Sequence, residues 1–302
     1  MTASRLFRSH TAATLSAALL LVMLLACYTT LGWTTGAMRE QRLDAARAAP
    51  TAAHPLGTDD LGRDLLARTL YGGAISLTLG LLAAGIAVVI GVAYGAISGF
   101  VGGRWDELLM RIVDVLYSLP SLLLLMLLTV SVGAVAETLP LRPGPHGWEP
   151  LGKEWARFVV LAIAIGGVGW LTLARVVRGQ VLSLREQPFV EAARALGLPT
   201  WRILFVHILP NLVGPIVVFA TLTVPQAILQ ESFLSFLGIG VQPPQATWGS
   251  LAAEGVRAIN PIRFDWWLIV FPCAALSLTL LALNFVGDGL RDAFDVRGRG
   301  RG

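Results

Sequence analysis

Charge is what this chain has least of. Only 14% of its 302 residues are Asp, Glu, Lys or Arg, against about 25% in an ordinary globular protein. A soluble fold of that length would lack the charge to cover its surface. The apolar share of 55% and mean hydropathy of +0.69 point instead to an integral membrane protein. Cysteine is nearly missing too: Cys27 and Cys273 both sit inside apolar runs, which excludes a disulfide scaffold. So apolar a composition also excludes disorder. The four histidines are dispersed, with no H-E-x-x-H and no G-x-S-x-G, so no metal site, no nucleophile–base pair and no catalytic residue is visible. The 23 basic against 19 acidic residues do not cluster on one face. They are scattered between apolar segments, as loop charges flanking a bilayer are, and no nucleic-acid partner is expected.

What is present in quantity is apolar sequence. A spanning helix needs about 20 mostly apolar residues, because its backbone must satisfy its own hydrogen bonds in lipid. Six stretches qualify, at residues 11–33, 74–101, 112–135, 158–174, 212–237 and 266–286. The expected fold is therefore an all-α membrane protein of six transmembrane helices. It divides into a tail and first helix (1–33), a segment outside the membrane (34–73), a core of five helices (74–290) and a tail (291–302). Six crossings put both termini on one side. With that side cytoplasmic, 13 Arg lie inside and 9 Arg plus Lys153 outside; leaving out the long segment 34–73 sharpens this to 13 against 5. The positive-inside rule then predicts cytoplasmic N- and C-termini.

The first stretch has a competing reading. Arg5, Arg8, an apolar run and Leu24-Leu25-Ala26-Cys27 resemble a signal peptide ending at a lipoprotein cleavage site. Leu25 fits poorly and the apolar run continues to Trp33, so a thiol buried in a membrane helix is preferred. The second stretch carries Gly91, Gly95, Gly99 and Gly103, each four apart. On a helix they make a groove free of side chains, into which another helix packs.

The loop at 175–211 carries most information. Residues 189–196 combine helix formers with apolar positions three and four apart; Gly197 closes that helix and Pro199 stops it. Thr200 is placed to cap a second short helix at 201–207, and Pro210 marks entry to the fifth span. Two short helices about a tight turn make a projecting knob. Glu191-Ala192-Ala193, Gly197 and Leu209-Pro210 resemble the EAA loop (residues 189–211) of ABC importer permeases. His207 stands where the family usually has isoleucine, and His207-Ile208-Leu209-Pro210-Asn211 is how the oligopeptide/dipeptide branch tends to write this string. Three further stretches resemble the C-type permease of that branch, which also includes nickel permeases. They are the segment from His54 to Asp64, Trp105-Asp106-Glu107-Leu108-Leu109-Met110-Arg111, and Leu234-Ser235-Phe236-Leu237-Gly238 with Val241-Gln242-Pro243-Pro244.

The resemblance implies a type I importer permease in a bacterial inner membrane, moving di- or oligopeptides. It implies as partners a sister permease, two ATPase subunits that use ATP and Mg, and an extracytoplasmic substrate-binding protein. The EAA knob would dock on an ATPase as a coupling helix, and the chain itself would bind no cofactor and catalyse nothing. A nickel or nickel-complex cargo remains the alternative within the branch. From another class, an ion-coupled secondary transporter would call for intramembrane charge pairs or an inverted repeat, neither of which is evident.

Three local patterns need weighing. Gly147-Trp148-Glu149-Pro150-Leu151-Gly152-Lys153-Glu154 nearly spells a phosphate-binding loop. Glu154 replaces the Mg-binding hydroxyl, Pro150 removes an amide donor and no strand is expected before it. Asp59, Asp60 and Asp64 near His54 suggest either a cation site, a contact with another subunit, or, preferably, a short helix capped by Thr58 with Asp59–Arg63 and Asp64–Arg68 four apart. In the fifth stretch, interrupted by Pro215 and Pro225, Gln226 and Gln230 share a face with Glu231 beside it. Polar groups at that depth usually face a water-filled cavity, so the three are assigned to the translocation path. For the glutamines the alternative is inter-helix glue, and for Glu231 it is holding the 232–238 turn.

Overall fold

The computed structural model describes residues 11–136, 140–144, 147–150, 153–259 and 264–299. Helices α1 (Thr11–Thr29) and α2 (Leu31–Ala37) lead through a segment of turns with a short 3-10 helix, Leu43–Ala45, into α3 (Leu65–Val101). Helices α4 (Gly103–Ser118) and α5 (Ser121–Ala136) follow, then the antiparallel strands β1 (Pro140–Gly144) and β2 (Gly147–Pro150). The long α6 (Lys153–Arg185) leads to α7 (Pro188–Ala195) and α8 (Thr200–Arg202). A π-helical stretch, Ile203–Ile208, then runs without a break into α9 (Leu209–Phe236), and α10 (Trp248–Arg257) and α11 (Trp267–Arg299) complete the chain. The hairpin is the one pair of strands among the described residues.

Five helices are long and apolar enough to span a bilayer, and α4 with α5 makes a sixth if counted as one bent span. That pair is where the straight third span fails: α4 and α5 meet at 93°. Leu119 lies extended at ψ 140, as the residue before a proline prefers, and Pro120 has no amide to continue the ladder. The other span edges also move. The second helix begins at Leu65, nine residues before Ala74, because Asp64 caps it by accepting from Ala67 N at 2.9 Å. The fifth starts at Thr200 instead of 212 and stays helical through Pro215 and Pro225.

Helices α3 and α6 form the most extensive contact, and α9 packs on α3, α6, α10 and α11. Glycine sets the α3–α6 distance. A Cβ on Gly91 would lie 2.9 Å from Leu173 Cβ, one on Gly99 2.8 Å from the Arg178 carbonyl oxygen, and one on Gly95 would run into the Ala174 carbonyl. Gly103 is not part of this seam; with φ +59 and open space around it, it turns the chain between α3 and α4. That corner is held from α6. Arg178 donates through two nitrogens to Asp106, each at 2.5 Å, and Ser98 Oγ donates to the same carboxylate. Arg185 donates to the Phe100 carbonyl at 3.1 Å.

The segment before α3 contains no helix capped by Thr58. Thr58 forms an isolated bridge with Asp64, and its buried hydroxyl links Ala45 O to Ala48 N. Asp59 accepts from the Leu61 and Arg63 amides at 2.9 Å and from both Arg63 and Arg68 at 2.6 Å. Arg68, 2% exposed, reaches on to Glu254 of α10 through both terminal nitrogens. Asp64 pairs with His54 instead of Arg68. The acidic cluster is thus a joint between this segment, α3 and α10, and among the described residues no His, Cys, Asp and Glu side chains gather as a metal site.

The near phosphate-loop pattern also resolves differently. Its first four residues are β2, two more lie outside the described residues, and Lys153 begins α6. A strand does precede it, contrary to expectation, but as an antiparallel hairpin partner. Cys27 is buried within α1, against Gly73 of α3.

Filling the seam should be costly. Gly95→Val is expected to destabilise the detergent-solubilised protein by about 1–3 kcal/mol, the range for overpacking. Gly85→Ala, where an added Cβ meets nothing within 4 Å, should leave the thermal midpoint unchanged or raise it. Equal midpoints for the two would dismiss the seam as the determinant of helix spacing.

Candidate functional site

The knob at the base of α9 and the middle of that helix carry the functional candidates. The knob begins with Pro188 at the first turn of α7, where a missing amide costs nothing. It ends in a Schellman turn: Leu198 N donates to Ala193 O at 3.2 Å and Gly197 N to Arg194 O at 2.9 Å. Gly197 takes φ +73 there, a conformation a side chain disfavours. Val190 and Ala193 are buried against Ile203, Leu204 and Ile208, which fastens the knob to the base of α9. Glu191 and Ala192 face outward, and beside them Leu196 is 80%, Trp201 64% and Phe205 61% exposed. These three were not singled out from sequence, although a tryptophan and a leucine flanking a glycine turn in a polar loop are a readable signal.

The second short helix expected at 201–207 is not separate. Thr200 makes no capping bond, and Pro199 takes the cap position. The chain widens into the π turn, with Leu209 N bonding to Leu204 O five residues back. Pro210 supplies the reason: its ring crowds the carbonyl four residues earlier and it has no amide to offer it. Asn211 Nδ2 donates to His207 O at 2.6 Å. The helix therefore passes from knob to span with one extra residue in its register.

At mid-span, Gln226 is exposed and Gln230 partly so, and both line a cavity of about 320 Å³ with Leu119, Ser121, Leu124 and Thr172. The break at Pro120 opens this space: α5 leaves at an angle from α4, and the gap falls against α6 and α9. Sequence reasoning missed Ser121, Thr172 and Tyr117, which line the cavity from other helices; their spacing along the chain carries no hint of that meeting.

Glu231 is elsewhere, which corrects its assignment to the path in favour of the alternative, the hold on the 232–238 turn. It is 0% exposed and accepts from Ser235 Oγ at 2.6 Å, Ser76 Oγ at 3.3 Å and Ser232 Oγ at 3.4 Å. Ser235 Oγ in turn accepts from Val241 N and Ser76 Oγ from Trp248 N. The carboxyl group ties together α3, α9, the turn after α9 and the start of α10. A buried acid is tolerated when hydroxyls replace its water, and here three do. Removing it should strand those donors: Glu231→Ala is expected to cost about 1–3 kcal/mol, read as a lower thermal midpoint of the solubilised protein. Glu231→Gln, which keeps an acceptor, should recover part of it; an unshifted midpoint in both would disprove the tie.

Comparison with known proteins places this geometry in a family. The family described as binding-protein-dependent transport system inner membrane component matches residues 87–300. The dipeptide transport system permease protein DppC of Bacillus subtilis is 44% identical over 257 residues, 85% of this chain and 73% of that protein. The oligopeptide transport system permease protein OppC of Haemophilus influenzae is 45% identical over 254 residues, 83% of this chain and 74% of the other. A putative peptide permease protein of Brucella suis is 39% identical over 294 residues, covering 96% and 89%.

Proposed function

The chain belongs to the binding-protein-dependent transport system inner membrane components, and from that premise we propose that it is one of two permease subunits of an ATP-driven importer of peptides. The cargo class rests on relatives named as dipeptide and oligopeptide permeases. A nickel cargo and an ion-coupled carrier are not favoured. The chain is a non-catalytic membrane component, and ATP with its Mg is used by two partner ATPases. A sister permease completes the pore, and an extracytoplasmic binding protein delivers the cargo.

The observation that carries the reading is the continuous path from knob to cavity. Glu191, Ala192 and Ala193 with Gly197, Leu209 and Pro210 form the coupling element. Around it, exposed Leu196 and Trp201 offer apolar anchors at a polar end of the molecule, the kind of side chain that carries interface energy. An ATPase gripping α7 pulls on a Schellman turn four residues long, 196–199, and then on an unbroken helix. Closure of the two ATPases thus turns α9, whose Gln226 and Gln230 face the cavity. An amide side chain both donates and accepts, as a peptide main chain does, so these two groups hold any peptide without reading its side chains. Gly91, Gly95 and Gly99 keep α3 against α6, the fixed wall past which α9 moves.

Two experiments test this. Gly197→Pro is expected to abolish uptake by the assembled importer, because proline cannot take a positive φ, and Glu191→Lys to reduce ATPase co-purification at least tenfold. Normal uptake and normal stoichiometry in both variants would remove the loop from coupling. For orientation, a cysteine replacing Thr200 should react only with reagents that enter the cytoplasm, and one replacing Leu43, 71% exposed, only from outside. Labelling of the Thr200→Cys protein by an impermeant reagent in intact cells would reverse the proposed topology, in which both termini are cytoplasmic in a bacterial inner membrane.

A further inference from the structure

The cavity has a charged margin on its α7 side. Tyr117 and Thr172 line the cavity and join hydroxyl to hydroxyl at 3.1 Å. Arg175 follows Thr172 by three residues on α6, and its guanidinium lies over the Tyr117 ring, 4.1 Å from the centroid. Asp114, three residues before Tyr117 on α4, accepts from Arg175 Nη2 at 2.7 Å. Neither partner is covered by the rest of the chain, Arg175 with 40% and Asp114 with 65% of its side chain exposed. Arg178, one turn further along α6, is different: it gives two nitrogens to Asp106 and holds the α3–α4 corner.

A guanidinium presents five donors in a planar fork that fits a carboxylate through two parallel bonds. Asp114 uses one nitrogen of that fork. A pair so exposed contributes little to stability, so exchanging Asp114 for another carboxylate runs close to balance. The ring beneath Arg175 fixes the plane of the fork while leaving its charge unspent. A weak, oriented, uncovered carboxylate site at the edge of a transport cavity suits a ligand that must bind and then leave.

We propose that Arg175, set by Tyr117, is a station for the C-terminal carboxylate of the cargo, with Asp114 occupying the fork when cargo is gone. The proposal rests on the peptide reading above and adds how the cavity recognises a peptide: by its terminus at Arg175 and its main chain at Gln226 and Gln230. From Gly169, which lines the cavity, to Arg175 is a rise of about 9 Å at 1.5 Å per residue, and an extended peptide covers that in about three residues at 3.3–3.6 Å each.

The test uses the complete permease–ATPase complex, with Cys27 and Cys273 replaced by alanine and Ser121→Cys as reporter. Ser121 lines the cavity and is exposed. The alkylation rate by an aqueous maleimide is followed with trialanine or with trialaninamide present. Trialanine is expected to slow alkylation at least tenfold more than the amide does. Arg175→Gln should erase that difference while leaving the rate without peptide within twofold, and Arg175→Lys should restore part of it. Equal protection by acid and amide, no protection by either, or protection unchanged in Arg175→Gln would each overturn the station. Uptake of labelled trialanine by the full importer, binding protein included, separates the two levels. If uptake is normal and protection does not discriminate, only the station falls; if the assembled importer takes up no peptide, the cargo reading falls with it.

Discussion

The contact on which the rest of the architecture depends is the glycine seam between α3 and α6. Lipid tails are as apolar as leucine, so helices in a bilayer gain little from hiding apolar side chains against each other. Close packing of backbones supplies the attraction instead, and Gly91, Gly95 and Gly99 allow it by presenting bare backbone to Leu173, Ala174 and Arg178. The seam sets the register of α6. With that register fixed, Arg178 meets Asp106 and Arg185 meets the Phe100 carbonyl, so the α3–α4 corner is locked to the stretch of α6 that leads into α7. The base of the knob is therefore part of the rigid wall of the protein.

The other side of the knob is fastened to α9. Leu198 and Ala193 close the Schellman turn, Val190 packs on Ile208, and the π turn carries the helix past Pro210. Between that wall and α9 lies the cavity, and its shape follows from one proline. Pro120 turns a span that the hydropathy pattern draws as straight into two helices at 93°. The angle leaves room beside Gln226 where continuous packing would have left none.

Much of this was legible in the sequence, because the signals were chemical and local. The apolar stretches, the glycine spacing and the Gly197 turn each follow from a short run of residues, and the structure has apolar helices, a side-chain-free face and a left-handed glycine at those positions. The failures share a cause as well. Helix ends shift wherever a polar residue continues a helix beyond the lipid, as at Leu65, or the helix begins earlier than the apolar run, as at Thr200. The Asp59–Asp60–Asp64 stretch has the composition of a helix start, yet Asp59 spends its carboxylate on Arg68 and two amides of its own turn. Glu254, the second acid on Arg68, is 186 residues away in sequence. No periodicity within a segment reports a partner at that distance.

Glu231 and the two glutamines mark the same limit inside the membrane. All three lie on one stretch of α9, and helical spacing groups them. Where each side chain ends up depends on what the neighbouring helix brings to it. Ser76 of α3 and Ser235 one turn along offer hydroxyls to Glu231, so its desolvation is met by donors and it becomes part of the packing. Gln226 meets no such partner from α3; across from it lie the gap left by Pro120 and the hydroxyls of Ser121 and Thr172. A polar residue in a span must be satisfied by protein or by water, and which of the two is decided by the opposite helix. In this chain α3 supplies serine and seals its side of α9, while α4 and α5 supply a break and leave theirs open.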